Sequence, residues 1–155
     1  MKRLLLILII FFFGLNAFAG EKEDALNFFN NYVKEANNYS DRILKMYSDN
    51  AKIIRQVIKP DGTLVNAYFT ASQYRGQLII SSKIAKLSHY KNNYSNISLK
   101  EVSNGYKISS IRMPSMSPKE KLKAYIIIQK QPNNEWLIME ELMQTRQQVF
   151  LKYAK

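Results

Sequence analysis

Two side chains in this sequence are candidates for moving a proton, Glu140 and His89. Glu140 stands in the run Trp136-Leu-Ile-Met-Glu140-Glu-Leu142, where strand alternation puts it on one face with Trp136, Ile138 and Leu142. If that face is enclosed, its carboxyl is desolvated and can serve as a general base beside a tyrosine donor. Glu101 is a lesser carboxylate of the same kind. His89, the only histidine, lies between Ser88 and Tyr90 with no acid beside it in sequence, which suits a boundary residue better than a proton shuttle. One histidine and no cysteine fall short of the three or four protein ligands that zinc or iron sites use, so no metal and no cofactor is expected. The chain has no glycine-rich phosphate loop and no serine in a nucleophile elbow. No catalytic residue is therefore assigned, and the expectation is a protein without enzymatic activity.

Binding is the remaining chemistry. The aromatic residues Tyr32, Tyr47, Tyr68, Phe69, Tyr74 and Trp136 can line an apolar pocket, although ordinary core packing uses the same residue types. Arg55 or Tyr68 can add a polar contact, and Glu140 an acidic one. The candidate ligand-binding residues are thus Tyr47, Arg55, Tyr68, Tyr74, Trp136 and Glu140.

Three helices and about six strands must position these groups. Ala25, Phe29, Tyr32, Val33 and Ala36 recur at three-and-four spacing, a buried helical stripe over Asp24–Glu35. Ser40 can cap a short helix from Asp41 to Tyr47, which Ser48-Asp49-Asn50 would end. Ala51–Ile58 and Thr63–Phe69 are rich in β-type residues and flank the turn Lys59-Pro60-Asp61-Gly62, so they predict a hairpin. Thr70-Ala-Ser-Gln73 is a capping box that opens a third helix over Ala71–Leu87, with Gly76 inside it. The period then changes to two. Tyr90–Val102, Tyr106–Pro114, Leu122–Lys130 and Glu135–Thr145 predict a four-strand meander. The apolar alternation in the second of these slips at Ser109-Ser110, which a β-bulge would explain. The last two strands are apolar on both faces and read as covered on both sides. The tail 147–155, with Val149, Phe150, Leu151 and Tyr153, can cover a sheet edge or dock a partner.

Residues 1–19 carry an address. Lys2 and Arg3 precede the apolar run Leu4–Phe13, and Ala17-Phe18-Ala19 offers the small residues of a cleavage site, so the expectation is a cleaved signal peptide and a periplasmic or secreted protein starting at Gly20. Residues 20–155 then form a single domain, large enough to build a core without disulfides. The net charge of +11 stays strongly positive without Lys2 and Arg3. Its lysines are dispersed and an exported protein seldom meets nucleic acid, so the charge reads first as a well-solvated surface, with an anionic membrane surface or an acidic partner as the alternative.

The order helix, helix, hairpin, helix, four-strand meander resembles the nuclear transport factor 2-like superfamily. Local echoes are Leu44-Lys-Met-Tyr47-Ser-Asp49-Asn50-Ala51-Lys-Ile53, the Asp61-Gly62-Thr63 turn, the capped helix from Thr70, and Asn134-Glu-Trp136-Leu-Ile138. The resemblance covers about residues 24–145 and implies an α+β cone, with helices packed on a curved, mostly antiparallel sheet. It implies little about function, because the superfamily hosts isomerases, dehydratases, binding proteins and interaction domains. A ketosteroid-isomerase-like member would need a carboxylate in the cone, and the strand Ala51–Ile58 has none. The expectation is an exported binding protein that engages an envelope protein or a small apolar ligand through its cone and curved sheet, with a homodimer through the sheet allowed. The alternatives are an isomerase or lyase using Glu140, and an envelope secretion-system component.

Overall fold

The computed structural model describes the backbone of residues 2–154 and the side chains of residues 20–154, so the expected leader, 1–19, lies outside the residues whose side chains are described. Helix α1 (Lys2–Asn37) buries Ala25, Phe29 and Tyr32, the stripe its spacing requires. A 3-10 helix over Asp41–Met46 follows, and Ser40 Oγ accepts from Arg42 N at its start.

Six strands form one sheet in the order β2-β1-β6-β5-β4-β3. They are β1 (Tyr47–Ile58), β2 (Leu64–Thr70), β3 (Asn92–Val102), β4 (Gly105–Pro114), β5 (Leu122–Lys130) and β6 (Trp136–Thr145). Only β1 and β6 pair in parallel; every other neighbour is antiparallel. Strand β1 begins before the expected Ala51, at Tyr47, and Ser48-Asp49-Asn50 extend it instead of closing the helix. Pairing with β2 starts only at Lys52, and the register with β6 shifts between Tyr47 and Lys52. The first residues of β1 are therefore an irregular, partly exposed lead-in.

The hairpin and the third helix form as expected. Asp61 Oδ1 accepts from both the backbone and the hydroxyl of Thr63, and Gly62 takes φ 85° in the turn. Helix α2 (Ala71–Leu87) starts on a complete capping box between Thr70 and Gln73. Its stripe is less buried than its composition suggests. Tyr74 enters the core, whereas Ile79, Ile80, Ile84 and Leu87 remain exposed. Arg75 anchors the helix, donating to the carbonyls of Leu44 and Tyr47 and to Asp49.

Strand β4 corrects one expectation. It alternates without a slip, with Tyr106, Ile108, Ser110, Arg112 and Pro114 buried on the inner face. Ile111 and Met113 point outward, so the apolar residues change face while the backbone keeps its period. The bulge lies on the partner strand β3, where the register shifts between Ser95 and Ser98 and Asn96 adopts φ 51°. A second bulge sits in β6. Ile128 pairs with Ile138 but Ile127 pairs with Glu140, so Met139 is the extra residue.

The core fills the space between α1, the 3-10 helix, the start of α2 and the inner face of the sheet. On the outer face Tyr125, Ile127, Leu137 and Leu142 are half-buried, and the described residues do not supply the expected second cover. The tail folds as a 3-10 helix over Gln148–Tyr153. Phe150 and Tyr153 pack on Phe69, and Ala154 bridges Ala67 beside the β2 edge.

Candidate functional site

Inside the cone one carboxylate is fully enclosed, and it is Glu141. The bulge at Met139 moves Glu141 onto the inner face with Ile138. Arg55 reaches it from β1, with Nη2 standing 2.7 Å from Oε1. Its register partner on β2 is Ala67, a small residue that leaves the guanidinium room. The Arg55 plane lies over the Tyr74 ring, 4.7 Å from its centre. The other carboxylate oxygen of Glu141 accepts from Tyr32 Oη at 2.8 Å and from Tyr47 Oη at 2.5 Å.

These contacts set the protonation states. Burial pushes the phenols of Tyr32 and Tyr47 well above their ordinary range, and the Glu141 carboxylate adds to the shift. Burial also raises Tyr74, to about 12, against the opposing pull of Arg55. For Arg55, burial works against the charged form, yet Tyr74 and Glu141 outweigh it and hold the guanidinium above its usual value. The result is a charged guanidinium facing Glu141 among three neutral phenols.

A cavity of about 1040 Å³ opens beside this cluster. Tyr32, Arg55 and Tyr74 form part of its floor, together with Tyr94 and Arg112 from the other half of the sheet. Its mouth is apolar, with Leu78, Ile80 and Ile84 of α2, Met116 of the loop before β5, and Val149 of the tail. Arg112 is held by neutral groups. It donates to Tyr90 Oη at 3.1 Å, to Asn92 Oδ1 at 2.9 Å and to the Gln144 carbonyl at 2.6 Å. Asn37 fixes this end of β3 through the backbone of Asn92. Among the described residues no group of three or more His, Cys, Asp or Glu could hold a metal ion.

No protein-family model matches the chain, and no curated protein matches it significantly. Solved structures do. A nuclear transport factor 2-like protein of unknown function from Pseudomonas putida superposes with a TM-score of 0.61 at 10% identity, over 81% of this chain and 86% of its own. A nuclear transport factor 2-like protein with a cystatin-like fold from Novosphingobium aromaticivorans gives 0.60 at 5% identity, over 86% and 87%. The fold is nuclear transport factor 2-like. A provisionally named ketosteroid isomerase from Shewanella frigidimarina is also similar, with a TM-score of 0.55 at 12% identity over 76% and 91% of the two chains.

Within this nuclear transport factor 2-like cone, the residues singled out from sequence fall in four places. Tyr47, Arg55 and Tyr74 come together around Glu141. Glu140 and Tyr68 do not join them. Glu140 projects from the outer face, where it accepts from Tyr125 Oη at 2.5 Å and pairs with Lys52 at 3.7 Å. Tyr68 lies on the same outer face, under Lys52. Trp136 packs on Tyr106 at the far end of the sheet, beside a shallow cleft that Glu101 also lines. His89 is exposed just past α2, with φ 52°. The bulge removes Glu140 from the cone and so withdraws the base that an isomerase built on Glu140 would use.

Glu141 and Arg112 escaped sequence reasoning. Strict alternation places Glu141 on the face opposite Ile138, and nothing in the residue types marks the bulge. Arg112 did leave a signal. It alternates with Ser110 against Ile111 and Met113, a polar inner face on an otherwise apolar strand.

Proposed function

We propose that this protein is an exported binding protein that encloses a small, largely apolar molecule in its cone and does no chemistry on it. The observation that carries the reading is the cavity itself, about 1040 Å³ with an apolar mouth and a polar floor, the usual composition of a small-molecule site. The second support is the engagement of Glu141. A general base must be within reach of substrate, whereas Glu141 is fully buried behind the cavity lining, with one oxygen taken by two phenols and the other facing the Arg55 guanidinium. Withdrawing it from them would leave a buried cation unpaired. Export rests on the composition of residues 1–19.

Native mass spectrometry on protein exported with its own leader tests this directly. The expected mass begins at Gly20 and carries a non-protein component that organic extraction removes. The extracted protein should then take up the neutral fluorophore N-phenyl-1-naphthylamine, and Ala85→Trp, which puts bulk into the cavity wall from α2, should block it. An extracted protein that takes up no probe, or an Ala85→Trp variant that binds it fully, would overturn the ligand reading. It would shift attention to an envelope protein docking on the exposed face of α2.

A further inference from the structure

Arg112 is the exceptional charge in this molecule. It is only 6% exposed, and among the described residues no carboxylate pairs with it, whereas the other buried charges have partners: Arg55 and Glu141 neutralise each other and Glu35 faces Arg42. Tyr90, Asn92 and the Gln144 carbonyl satisfy its two outer nitrogens, and Nε is buried with no partner. Burying a cation is costly unless an anion accompanies it. Because Arg112 lines the cavity, the missing counter-charge has a place to come from.

We infer that the ligand is an anionic amphiphile, a carboxylate bearing an apolar chain, whose head supplies the counter-charge to the Arg112 guanidinium while its chain lies toward Ile80, Ile84 and Met116. This rests on the reading of the cone as a ligand site and names the class of molecule. At the buried end of the cavity Arg112 is the one uncompensated positive charge, Arg146 being paired with Glu120 and Lys152 being exposed at the rim, which matches the single charge of a carboxylate better than the double charge of a phosphate monoester. Tyr94, the cross-strand neighbour of Arg112, is a neutral phenol in the same cavity and adds no competing charge.

Displacement of N-phenyl-1-naphthylamine from the extracted protein at neutral pH provides the test. Dodecanoate should bind at least about tenfold more tightly than dodecanol, the margin of one charge-assisted hydrogen bond. Each methylene added to the chain should tighten binding about fourfold until the mouth is filled. Arg112→Gln should reduce the preference for dodecanoate to within about twofold while dodecanol binds as before. In the wild-type protein, the Arg112 Nε–H resonance should move on addition of dodecanoate and stay in place with dodecanol, a readout that does not depend on any variant folding. Equal affinities for acid and alcohol would overturn the anionic head and leave the ligand reading intact. Tighter binding of dodecyl phosphate than of dodecanoate would overturn the carboxylate. Failure of the fluorophore itself to bind is the separate result that removes the ligand reading.

Discussion

Arg55 on β1 meets Glu141 on β6 across the one parallel strand pair of the sheet, on a diagonal, because the residue directly opposite Glu141 is Ile53. Glu141 is fully buried and Arg55 nearly so, with Tyr32, Tyr47 and Tyr74 around them. It follows that the two charges depend on each other far more than a surface pair would.

Removing one partner should therefore be severe. Glu141→Gln is expected to cost about 3–5 kcal/mol of unfolding free energy, because the Arg55 charge is left buried and uncompensated. Arg55→Met should cost a similar amount, and combining it with Glu141→Leu should recover much of the loss. Urea unfolding of the wild type, Arg55→Met, Glu141→Leu and their double variant closes a double-mutant cycle, with Glu141→Gln measured beside it. A Glu141→Gln loss below about 1 kcal/mol would contradict the enclosed pair.

The enclosed phenols make a prediction in alkali. A group whose folded pKa is raised favours the folded state below its unfolded pKa, and that contribution is lost as pH climbs through the folded value. Tyr74 is raised to about 12, and Tyr32 and Tyr47 are also raised. Stability should thus be independent of these tyrosines up to about pH 10 and fall steeply above it. Tyrosinate absorbance should show an exposed set titrating normally and a buried set that appears only together with loss of circular dichroism. Smooth titration of all tyrosines in a folded protein would contradict it.

Two glycines should respond to alanine in opposite ways. A Cβ on Gly105 would sit 2.0 Å from the Ile128 carbonyl oxygen, and its φ is 148°. Gly105→Ala is therefore expected to cost about 2–5 kcal/mol through clash and backbone strain. Nothing lies within 4 Å of a Cβ on Gly76, which is inside α2, so Gly76→Ala should stabilise by about 0.5–1 kcal/mol. Thermal melts of both variants decide the signs.

Ser110 gives a subtler case. Its hydroxyl is buried without a hydrogen-bond partner. Ser110→Ala should leave stability unchanged or raise it by up to about 1 kcal/mol, since the change removes an unsatisfied polar group. A loss above that size would show that the hydroxyl has a partner in solution, such as an ordered water.

What the sequence made legible is what short-range rules govern. The limits of α2 follow from the Thr70/Gln73 capping box, and Leu122–Lys130 falls where its apolar alternation begins and ends. The order of these elements carries the architecture. The site is a different matter, because it depends on which face a strand turns inward. That choice is reset by a single bulged residue. One extra residue at Met139 exchanges Glu140 for Glu141 in the cone. Conversely, the irregular apolar pattern of β4 mimics a bulge where there is none, because Ser110 and Arg112 occupy inner positions that apolar residues would normally fill. Arg55 was visible because it is the one charge on the inner face of its strand.

The parallel pairing of β1 with β6 also has a consequence for the order of events in the life of the chain. The hairpin of β1 with β2 can form as soon as β2 exists, but the other edge of β1 must wait for β6, the last strand of all. The Arg55 side chain consequently has no carboxylate to meet until nearly the whole polypeptide has emerged, whether from a ribosome or from a translocation channel. Contacts of such long range are slow to form. The β1–β2 hairpin can form early, but it stays without the rest of its sheet until the last strand arrives, so closure of the cone is a late event in synthesis.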